Sequence, residues 1–496
     1  MIRRWINSKN SLRGLLVFHF SLWLVIALIL DIHPDMADHW IWSRNLDWGY
    51  YEHPAMVAWM MRLATILIPT HPIIALKIAS VAISTIILWL AYRVAASFFS
   101  EKTALIYVLI LEATPYFSMG SVFWHIDQPY MICWLSGLLV FSKFIQTRNL
   151  NWIIVFGFIA GLGAVSKYIT ILFYISLLIW CIVDRRFRHL LIRWQTYGAC
   201  LISFVIFSPI FIWNATHDWI SFRFQLGRGL SGSSYLGKFP ELTIGHLLIF
   251  SVVFSVMAWG LLFTQKLTDR PFSEKDSFLL ATGLLPLVFF SASSLRGSIA
   301  DPHWLNVCYF SLFMLLARYI EKALVQAHSE KKFGLVFGVA FAVNFVFLGI
   351  AILQVFYSIL PIPRHLDISK KIIAWDKTSR QIESVLDRLK IPDLDFVVTR
   401  EYQLAGVLGL YLKAMPLSHT IEKKERNIWS PVEQVRKSNY IVVCPPNECD
   451  GVVRQTTERL NSRVKFVETI QTNINGYLAR ELSIYVPSNN SVRRNP

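Results

Sequence analysis

The sequence contains little charge for its length. Asp, Glu, Lys and Arg account for 16% of the 496 residues, whereas hydrophobic residues account for 54%, and the mean hydropathy is +0.46. Soluble domains are typically about one quarter charged, so this balance excludes an ordinary soluble protein of this size. The composition therefore predicts an integral membrane protein.

Acidic residues are scarcer than basic ones, which gives a formal net charge of +16. Most basic residues lie in short connections between apolar runs, where they orient helices in a membrane. This distribution argues against nucleic-acid binding. No small-x-small cleavage pattern follows the first apolar run, so we interpret that run as a retained membrane span rather than a signal peptide.

Apolar runs of the roughly 20 residues that a membrane helix needs occur about eleven times. They lie near residues 14–32, 73–92, 104–122, 128–146, 151–166, 169–183, 196–213, 243–264, 277–294, 305–320 and 334–360. Glu112 and Pro115 interrupt the third run, so it is expected to face protein or water rather than lipid. The basic loops predict a multi-pass protein of the cytoplasmic membrane, with a cytoplasmic N-terminus and everything after about residue 362 outside the cytoplasm.

From about residue 364 the sequence contains residues of both charges and alternating apolar and polar residues. We therefore predict a transmembrane domain over residues 1–363 and a small extracytoplasmic α/β domain over residues 364–496. In "DFVVTREYQLAGVLGLYL" we expect a strand and an amphipathic helix, in "NYIVVCPP" and "LSIYVP" strands, and in "QTTERLNSRV" a helix. Cys444 and Cys449 form a disulfide if this domain lies in an oxidising compartment; otherwise they stay reduced.

The segment after the first apolar run, "HPDMADHWIWSRNLDWGYYEHPAMVAW", combines acids, imidazoles and aromatic rings at a membrane boundary. Its ionisable side chains include Asp35, Asp38, Asp47, Glu52, His33, His39 and His53. Such groups cost free energy near a bilayer, so their clustering indicates a functional site. The alternative is the solvated face of an amphipathic helix that begins at Pro34.

This segment resembles the first outer loop of the polyprenyl-phosphate-sugar glycosyltransferases of family 39, which include protein O-mannosyltransferases and the lipid A aminoarabinose transferase. The matching positions are Pro34, Asp35, Ala37, Trp40, Asp47, Trp48, Gly49, Tyr50, Glu52, His53 and Pro54. Met36 departs from the pattern, because the family usually has a second acid there.

Later motifs extend the resemblance along the chain. "WHIDQPYMICW" resembles the second acidic motif through Asp127 and Pro129, with His125 and Gln128 departing from it. "GLGAVSKYITILF" carries the family's Ser-Lys-Tyr turn in Ser166, Lys167 and Tyr168. "SLRGSIADPHW" matches in Arg296, Asp301, Pro302 and Trp304, with His303 where Asn is common.

The resemblance implies a fold and a reaction. The fold is a polytopic helical membrane domain of the GT-C type, with about eleven transmembrane helices and interfacial helices at the outer face, followed by the α/β domain. The reaction is the inverting transfer of a sugar from a polyprenyl-phosphate donor to a lipid, glycan or protein acceptor on the outer face of the membrane.

This chemistry needs a carboxylate that takes up the acceptor proton and groups that stabilise the departing phosphate. The candidate catalytic carboxylates are Asp35 and Asp127. The candidates for binding the donor phosphate are Lys167, Tyr168, Arg296 and His53, and those for binding the substrates are Glu52, Asp38, Asp301, His303 and Trp304.

Several of these residues also have a simpler interpretation. Lys167 could extend to the membrane interface, Asp127 could cap the helix that follows it, and Arg296 could be a loop cation. Arg223 and Arg228 in "FRFQLGRGL" alternate with aromatic residues, which favours an interfacial helix over a phosphate site. A divalent metal bound by Glu52 and His53 is left open, since adjacent Glu-His is not a zinc signature.

Two other functions are alternatives to glycosyl transfer. A transporter or flippase of a lipid-linked glycan usually has related halves and broken helices near mid-membrane, and the sequence clearly shows neither. A non-catalytic assembly subunit would leave the cluster of acids and imidazoles without purpose. The sequence names neither the sugar nor the acceptor.

Overall fold

The structure is a computed structural model, and it describes residues 10–230, 238–264, 272–296, 301–326, 330–363, 367–391, 393–421 and 426–488. Its longer helices before residue 363 are Ser11–Ile29, Pro34–Arg44, Met56–Leu67, Pro72–Phe98, Glu101–Glu112, Asp127–Thr147, Asn151–Ser166, Ile171–Val183, Trp194–Thr216, Ile220–Leu230, Phe239–Ile249, Val252–Phe263, Glu274–Leu295, Asn306–Gln326 and Glu330–Tyr357. Short helical turns cover Pro115–Ser118, Met119–Val122, Tyr168–Thr170, Arg185–Ile192 and Pro302–Leu305.

Helical structure coincides with each of the eleven predicted membrane segments, and the protein is a multi-pass membrane protein. Within the described ranges, six helices are long and apolar enough to cross a bilayer, or up to eight spans if each of two bent helix pairs counts as one. The predicted segments at 151–166 and 169–183 form shorter apolar helices. The helix Asn306–Gln326 contains three charged residues, which explains why it does not count among the six.

Two of the predicted spans are bent helix pairs. The helix Glu101–Glu112 and the turns Pro115–Val122 meet at 85°, and the helices Phe239–Ile249 and Val252–Phe263 meet at 111°. Pro115 follows the first break and has no N–H for a continued helix. Ser251 has a φ of 67° at the second break, outside the right-handed helical region.

A buried polar network surrounds the first break. Glu112 ends its helix, and its carboxylate lies 2.6 Å from Nδ1 of His19 and accepts a hydrogen bond from the indole of Trp23 at 3.2 Å. The other ring nitrogen of His19 lies 2.7 Å from the hydroxyl of Ser84. The amide of Asn344 donates to the backbone oxygen of Glu112. Three helices therefore contribute side chains to the network at one helix end.

Small residues allow the helices Asn151–Ser166 and Trp194–Thr216 to approach closely. A Cβ on Gly157 would lie 2.5 Å from Cα of Ala199, so only glycine fits. The hydroxyl of Ser203 donates a hydrogen bond to the backbone oxygen of Gly157. Small residues and hydroxyls at such contacts are typical of helix packing in membranes.

The chain forms two compact units. The first unit comprises Met1–Val25, Glu52–Met56 and Ala79–Leu348, and the second comprises Ile26–Tyr51, Val57–Ile78 and Gly349–Pro496. Each unit is described separately below. The domain boundary that the sequence predicts between residues 363 and 364 stays a prediction.

A five-stranded sheet forms the centre of the second unit. Its strands are β1 Phe396–Thr399, β2 Leu417–Thr420, β3 Tyr440–Cys444, β4 Val464–Ile474 and β5 Tyr477–Pro487, in the order β2-β1-β3-β5-β4. Strand β1 pairs in parallel with β2 and β3, whereas β5 is antiparallel to β3 and β4. The helices of this region are Trp375–Arg388, Tyr402–Tyr411, Val432–Lys437 and Cys449–Leu460, with short turns at Ile368–Ile372 and Pro446–Glu448.

These elements confirm the predicted strands in "DFVVT", "NYIVVCPP" and "LSIYVP" and both predicted helices of this region. The sheet is covered on both faces, because residues with opposite orientation in β1, such as Val397 and Val398, belong to different apolar clusters. The structure also contains a disulfide between Cys444 at the end of β3 and Cys449 at the start of the next helix. Of the two predicted states of Cys444 and Cys449, the structure contains the disulfide-bonded one.

The helix Tyr402–Tyr411 packs directly against the helix Pro34–Arg44. A Cβ on Gly406 would lie 2.9 Å from the backbone nitrogen of Asp38. The absence of a side chain at Gly406 therefore lets the two backbones meet, and it brings Tyr402 and Gln403 next to the acids of the opening segment.

Candidate active site

Asp127 and Lys167 form a buried ion pair in the first unit. Asp127 is the first residue of the helix Asp127–Thr147, and Lys167 follows the helix Asn151–Ser166 in an extended conformation. The ammonium Nζ lies 2.5 Å from Oδ1 of Asp127, and the two side chains are 9% and 4% exposed. Two helix ends thus hold opposite charges together where water is scarce, which strengthens their attraction.

Two imidazoles and a phenol surround the other carboxylate oxygen of Asp127. Nδ1 of His125 and Nε2 of His303 each lie 3.7 Å from Oδ2. The hydroxyl of Tyr116 donates to the same oxygen at 3.2 Å and accepts a hydrogen bond from Asn306. Burial lowers the pKa of His303, which favours the neutral form of this imidazole. The carboxylate is therefore oriented from several sides.

Trp304 lies between two cations. Its ring centroid is 6.0 Å from Nζ of Lys167 and 5.2 Å from the guanidinium carbon of Arg228. Arg228 also pairs with Asp301, at 3.0 Å. The structure thus brings the predicted residues Asp127, Lys167, Asp301, His303 and Trp304 into one connected cluster.

The helix Ile220–Leu230, which carries Arg228, also contacts other predicted residues. The amide of Gln225 donates to the backbone oxygen of Glu52 at 2.6 Å and lies 3.3 Å from Nδ1 of His53. Ser221 lies 2.8 Å from the hydroxyl of Tyr168. Glu52, His53 and Tyr168 are therefore linked through one helix, which the sequence analysis treated only as interfacial.

Arg296 is not part of this cluster among the residues that the structure describes. It is the exposed C-terminal cap of the helix Glu274–Leu295, and residues 297–300 of its motif lie outside the described ranges. Its proposed contact with the donor phosphate stays a prediction.

Asp35 and Asp38 belong to the second unit. The amide of Gln403 donates to Oδ1 of Asp35 at 2.7 Å, and the hydroxyl of Tyr402 donates to it at 3.3 Å. Nδ1 of His33 lies 3.7 Å from Oδ2 of Asp35, and the Asp35 side chain is 28% exposed. The Asp35 carboxylate is therefore positioned by hydrogen bonds and still accessible, as a general base must be. Asp38 pairs with Arg426, at 3.4 Å.

No metal site is evident in the part of the chain that the structure describes. No group of three or more His, Cys, Asp or Glu side chains there is close enough to hold an ion. Glu52 and His53 alone offer fewer ligands than the four of a typical structural zinc site. Their metal binding stays a prediction, and no step of the reaction below passes through a metal.

Tyr116 and Gln225 of the cluster were not predicted from the sequence, and Arg228 was assigned to an interfacial helix in preference to a phosphate site. Tyr116 lies just after the break at Pro115, which hydropathy interprets as a weak span. Gln225 and Arg228 lie in "FRFQLGRGL", whose alternating pattern is shared by interfacial helices. The sequence signal that could have indicated Tyr116 is the interruption of the third apolar run by Glu112 and Pro115.

Known proteins share part of this sequence and its fold. Residues 52–213 match the family described as dolichyl-phosphate-mannose-protein mannosyltransferase. The lipid A galacturonosyltransferase RgtD of Rhizobium johnstonii is 26% identical over 266 residues, which are 49% of this chain and 53% of that protein. The match thus spans about half the length of that curated relative.

Two solved structures show the same fold. ArnT from Cupriavidus metallidurans, bound to undecaprenyl phosphate, superposes with a TM-score of 0.63 at 15% identity, covering 96% of this chain and 98% of that one. The apo oligosaccharyltransferase of Archaeoglobus fulgidus gives 0.50 at 11% identity, covering 98% of this chain and 76% of that one. At these identities the likeness concerns the fold alone.

The fold is of the GT-C type, a helical membrane domain with a small C-terminal sheet. The family match over residues 52–213 confirms the predicted resemblance to the polyprenyl-phosphate-sugar glycosyltransferases. Glycosyl transfer by this chain itself is a proposal.

Proposed function

We propose that this protein transfers a sugar from a polyprenyl-phosphate donor to a lipid, glycan or protein acceptor on the outer face of the cytoplasmic membrane. The observation that carries the proposal is the buried pair of Asp127 and Lys167, bordered by two imidazoles and by a tryptophan between two cations. Support comes from the names of the similar proteins, which include an enzyme acting on lipid A and one bound to undecaprenyl phosphate.

The bond changes follow from the substrates. The acceptor oxygen attacks the anomeric carbon, the bond from that carbon to the phosphate oxygen breaks, and the configuration inverts. The acceptor proton passes to a carboxylate, for which we propose Asp35, with Asp127 supporting the positive charge on the sugar. The polyprenyl phosphate leaves with the bonding electron pair.

Cations near the departing phosphate lower the barrier, because its negative charge grows as the bond breaks. Lys167 has three N–H donors, and one hydrogen bond to Asp127 leaves two for phosphate oxygens. Arg228 can bind two oxygens at once through its planar guanidinium. Tyr168, His53 and Arg296 are further proposed phosphate ligands, and Glu52, Asp38, Asp301, His303 and Trp304 are proposed substrate contacts.

The organisation of the chain belongs to the same proposal. We propose a transmembrane domain over residues 1–363 with a cytoplasmic N-terminus and an extracytoplasmic domain over residues 364–496. The disulfide Cys444–Cys449 supports an outer location, because disulfides persist in oxidising compartments.

The test replaces Asp127 by Asn in a strain that lacks the wild-type gene. Mass spectrometry of envelope lipids and glycoproteins should show one added sugar with the wild type and a loss of about 100-fold or more with Asp127→Asn, the scale of removing one group that stabilises charge in the transition state. Asp276→Asn is the matched control, because Asp276 forms another buried ion pair of the first unit, with Arg318 at 2.6 Å.

Asp276→Asn should retain transfer in proportion to the folded protein, whereas Asp127→Asn should lose it while folded. Full transfer by Asp127→Asn would refute the assignment. A changed leaflet distribution of a lipid-linked glycan, with no new glycosidic bond, would favour the flippase instead.

A further inference from the structure

A strained turn precedes the helix that carries Arg228. Asp218 and Trp219 have φ values of 54° and 55°, a left-handed conformation that two consecutive residues with side chains rarely adopt. The turn links the helices Trp194–Thr216 and Ile220–Leu230. Such a conformation persists only where surrounding contacts impose it, so specific partners must fix the start of the second helix.

The backbone of Asn214 provides two of these contacts. Its oxygen accepts hydrogen bonds from the N–H of Trp219 at 2.7 Å and from that of His217 at 3.1 Å. The ring of His217 also stacks on Trp213 at 4.2 Å and 15°, which packs the turn against the preceding helix. The chain therefore leaves the long helix in a defined direction.

The side chain of Asn214 is fully buried and connects the two helices. Its Oδ1 accepts a hydrogen bond from the backbone N–H of Phe222 at 3.3 Å, in the first turn of the helix Ile220–Leu230. N–H groups in a first turn have no partner within their own helix, so this amide caps it. Nδ2 of Asn214 donates to the backbone oxygen of Ile210 at 3.1 Å and lies 3.4 Å from the hydroxyl of Tyr168.

Tyr168 attaches the same helix start to Lys167, which it follows directly in the chain. Its hydroxyl lies 2.8 Å from that of Ser221, and its ring packs edge-on against Phe222 at 5.0 Å. Asn214 contacts both Tyr168 and Phe222. It therefore determines where the helix begins relative to the segment that carries Lys167.

The position of the helix start determines that of Arg228. Arg228 lies six residues after Phe222, about 9 Å along an α-helix. Lys167 and Arg228 approach the ring of Trp304 at 6.0 Å and 5.2 Å. Hydrogen bonds from a guanidinium to a phosphate need distances of about 2.7–2.9 Å, so a helix displaced by about 1 Å loses them.

We propose that Asn214 is a positioning residue, which fixes the distance between Lys167 and Arg228 and thereby the affinity of this site for a phosphate group. Because Asn214 is fully buried, it acts through the helix Ile220–Leu230 rather than by touching the phosphate. That the phosphate is the one of a polyprenyl-phosphate donor rests on the proposed function.

The experiment measures binding of farnesyl phosphate, a short polyprenyl phosphate, to the purified full-length protein in lipid nanodiscs by titration calorimetry. Uncharged farnesol is the counterpart that lacks the phosphate. Asn214→Leu is similar in size but lacks the amide. In Asn214→Asp the carboxylate still accepts from Phe222, is favoured at a helix N-terminus, and can accept from a reoriented Tyr168 hydroxyl. The control is Thr282→Val, which removes a buried hydroxyl 2.9 Å from that of Ser311 in the same unit.

We expect the wild type and Thr282→Val to bind farnesyl phosphate equally, and more tightly than farnesol. The affinity for farnesyl phosphate should fall about tenfold in Asn214→Leu, the scale of one charge-assisted hydrogen bond, and change by less than about twofold in Asn214→Asp. Binding of farnesol should be the same in all variants. In an Arg228→Gln background, Asn214→Leu should cause no further loss, because the helix then has no guanidinium to position.

Unchanged phosphate binding in folded Asn214→Leu, or additive losses when it is combined with Arg228→Gln, would overturn the proposal. Equal losses for farnesol and farnesyl phosphate would also overturn it, since they would indicate a general change of structure. If Asn214→Leu does not fold, Asn214→Ser serves in the same measurement, because its side chain is too short to reach the N–H of Phe222.

The outcome can be separated from that of the proposed function. If Asp127→Asn retains transfer while phosphate binding depends on Asn214, the reaction assignment fails and the positioning role stands. If transfer depends on Asp127 and phosphate binding is insensitive to Asn214→Leu, only the positioning role fails. Where both hold, Asn214→Leu should lower kcat/KM for the donor by about tenfold or more and leave the acceptor KM unchanged.

Discussion

Lys167 compensates the buried charge of Asp127, and it is also proposed to bind the donor phosphate. Lys167→Met should therefore lower the unfolding free energy by about 3–5 kcal/mol, the cost of leaving a buried charge unpaired. The double variant Lys167→Met/Asp127→Asn removes both charges and should recover most of this stability.

Thermal unfolding in detergent and the transfer assay together check this prediction. The double variant should be stable and inactive, which a merely structural ion pair would not produce. Recovery of transfer along with stability would assign the pair to folding alone.

His419 is a buried histidine of β2 whose titration links stability to pH. Burial lowers the pKa of His419 to about 4, and its Nδ1 lies 2.8 Å from the backbone oxygen of Ser430. The unfolded chain titrates near pH 6.5, so protonation favours the unfolded state. Stability should thus be complete above about pH 6.5 and fall by about 3 kcal/mol as the pH drops towards 4.

Chemical denaturation of the intact protein between pH 7.5 and 4.5 measures this loss. In His419→Asn the side-chain amide can replace the Nδ1–H donor without titrating, so the pH dependence should become shallower. An unchanged slope in this variant would assign the acid sensitivity to other groups, among them His303.

The residues of the candidate site were predictable to different degrees. Asp127 and Lys167 belong to motifs with a recognisable order, and the structure pairs them. Arg228 was not predictable, since its partner Asp301 lies 73 residues away and the pattern around it is that of any interfacial helix. Whether Arg228 and Asp301 lie close together depends on how the helices pack, and the residue types at these positions do not determine that packing.

At the scale of elements, the break after Glu112 is held by side chains from several helices and leads directly to Tyr116, which contacts Asp127. Glu112→Leu removes the acceptor for the imidazole of His19 and the indole of Trp23. Each buried donor left unpaired costs about 1–3 kcal/mol. We expect a lower Tm and, because Tyr116 shifts, a loss of transfer beyond the loss of folded protein.

Glu112→Gln is the conservative counterpart, since its side-chain oxygen still accepts a hydrogen bond. It should keep most of the Tm and of the transfer rate per folded molecule. Equal activity per folded molecule in the Leu and Gln variants would show that the network stabilises the span without positioning Tyr116.

The disulfide joins β3 to the helix Cys449–Leu460 and closes a loop of a few residues. In the chain-entropy treatment, a loop this short contributes about 2 kcal/mol to stability. The double variant Cys444→Ala/Cys449→Ala should lower the unfolding free energy by this amount in denaturant titrations. A dithiol reductant should shift the wild type in the same direction and leave the double variant unaffected.

Helices and strands were predictable where hydropathy or alternation is strong. The bent pairs were not, because a window of apolar residues says nothing about direction. Strand β2, "LSHT", is short and polar and was missed, and β4 lies at the sheet edge with a largely exposed pattern. Strand β2 forms by pairing with β1, and β4 forms by pairing with β5. Such pairing depends on contacts with another strand, which the residues of a single strand do not specify.

At the scale of the whole molecule, the proposed orientation can be tested by labelling intact cells. Lys413→Cys places a thiol on an exposed position of the proposed outer domain, and Arg188→Cys places one in a basic turn of the proposed cytoplasmic side. A membrane-impermeant maleimide should label the first variant in intact cells and the second only after lysis. The native free cysteines set the background, which the wild type measures.

Labelling of both thiols in intact cells, or of Arg188→Cys alone, would refute this orientation. The charge bias of the loops is the main support for this orientation. The GT-C fold itself was predictable only through family motifs, since hydropathy yields a number of helices but not their arrangement.

The bond between Cys444 and Cys449 also constrains how the protein is made. Thiols emerging from the ribosome meet a reducing environment, so in the proposed orientation this disulfide closes only after the outer domain has been exported. Maturation is then coupled to secretion, and a strain defective in envelope thiol oxidation should accumulate an immature form that proteases remove first.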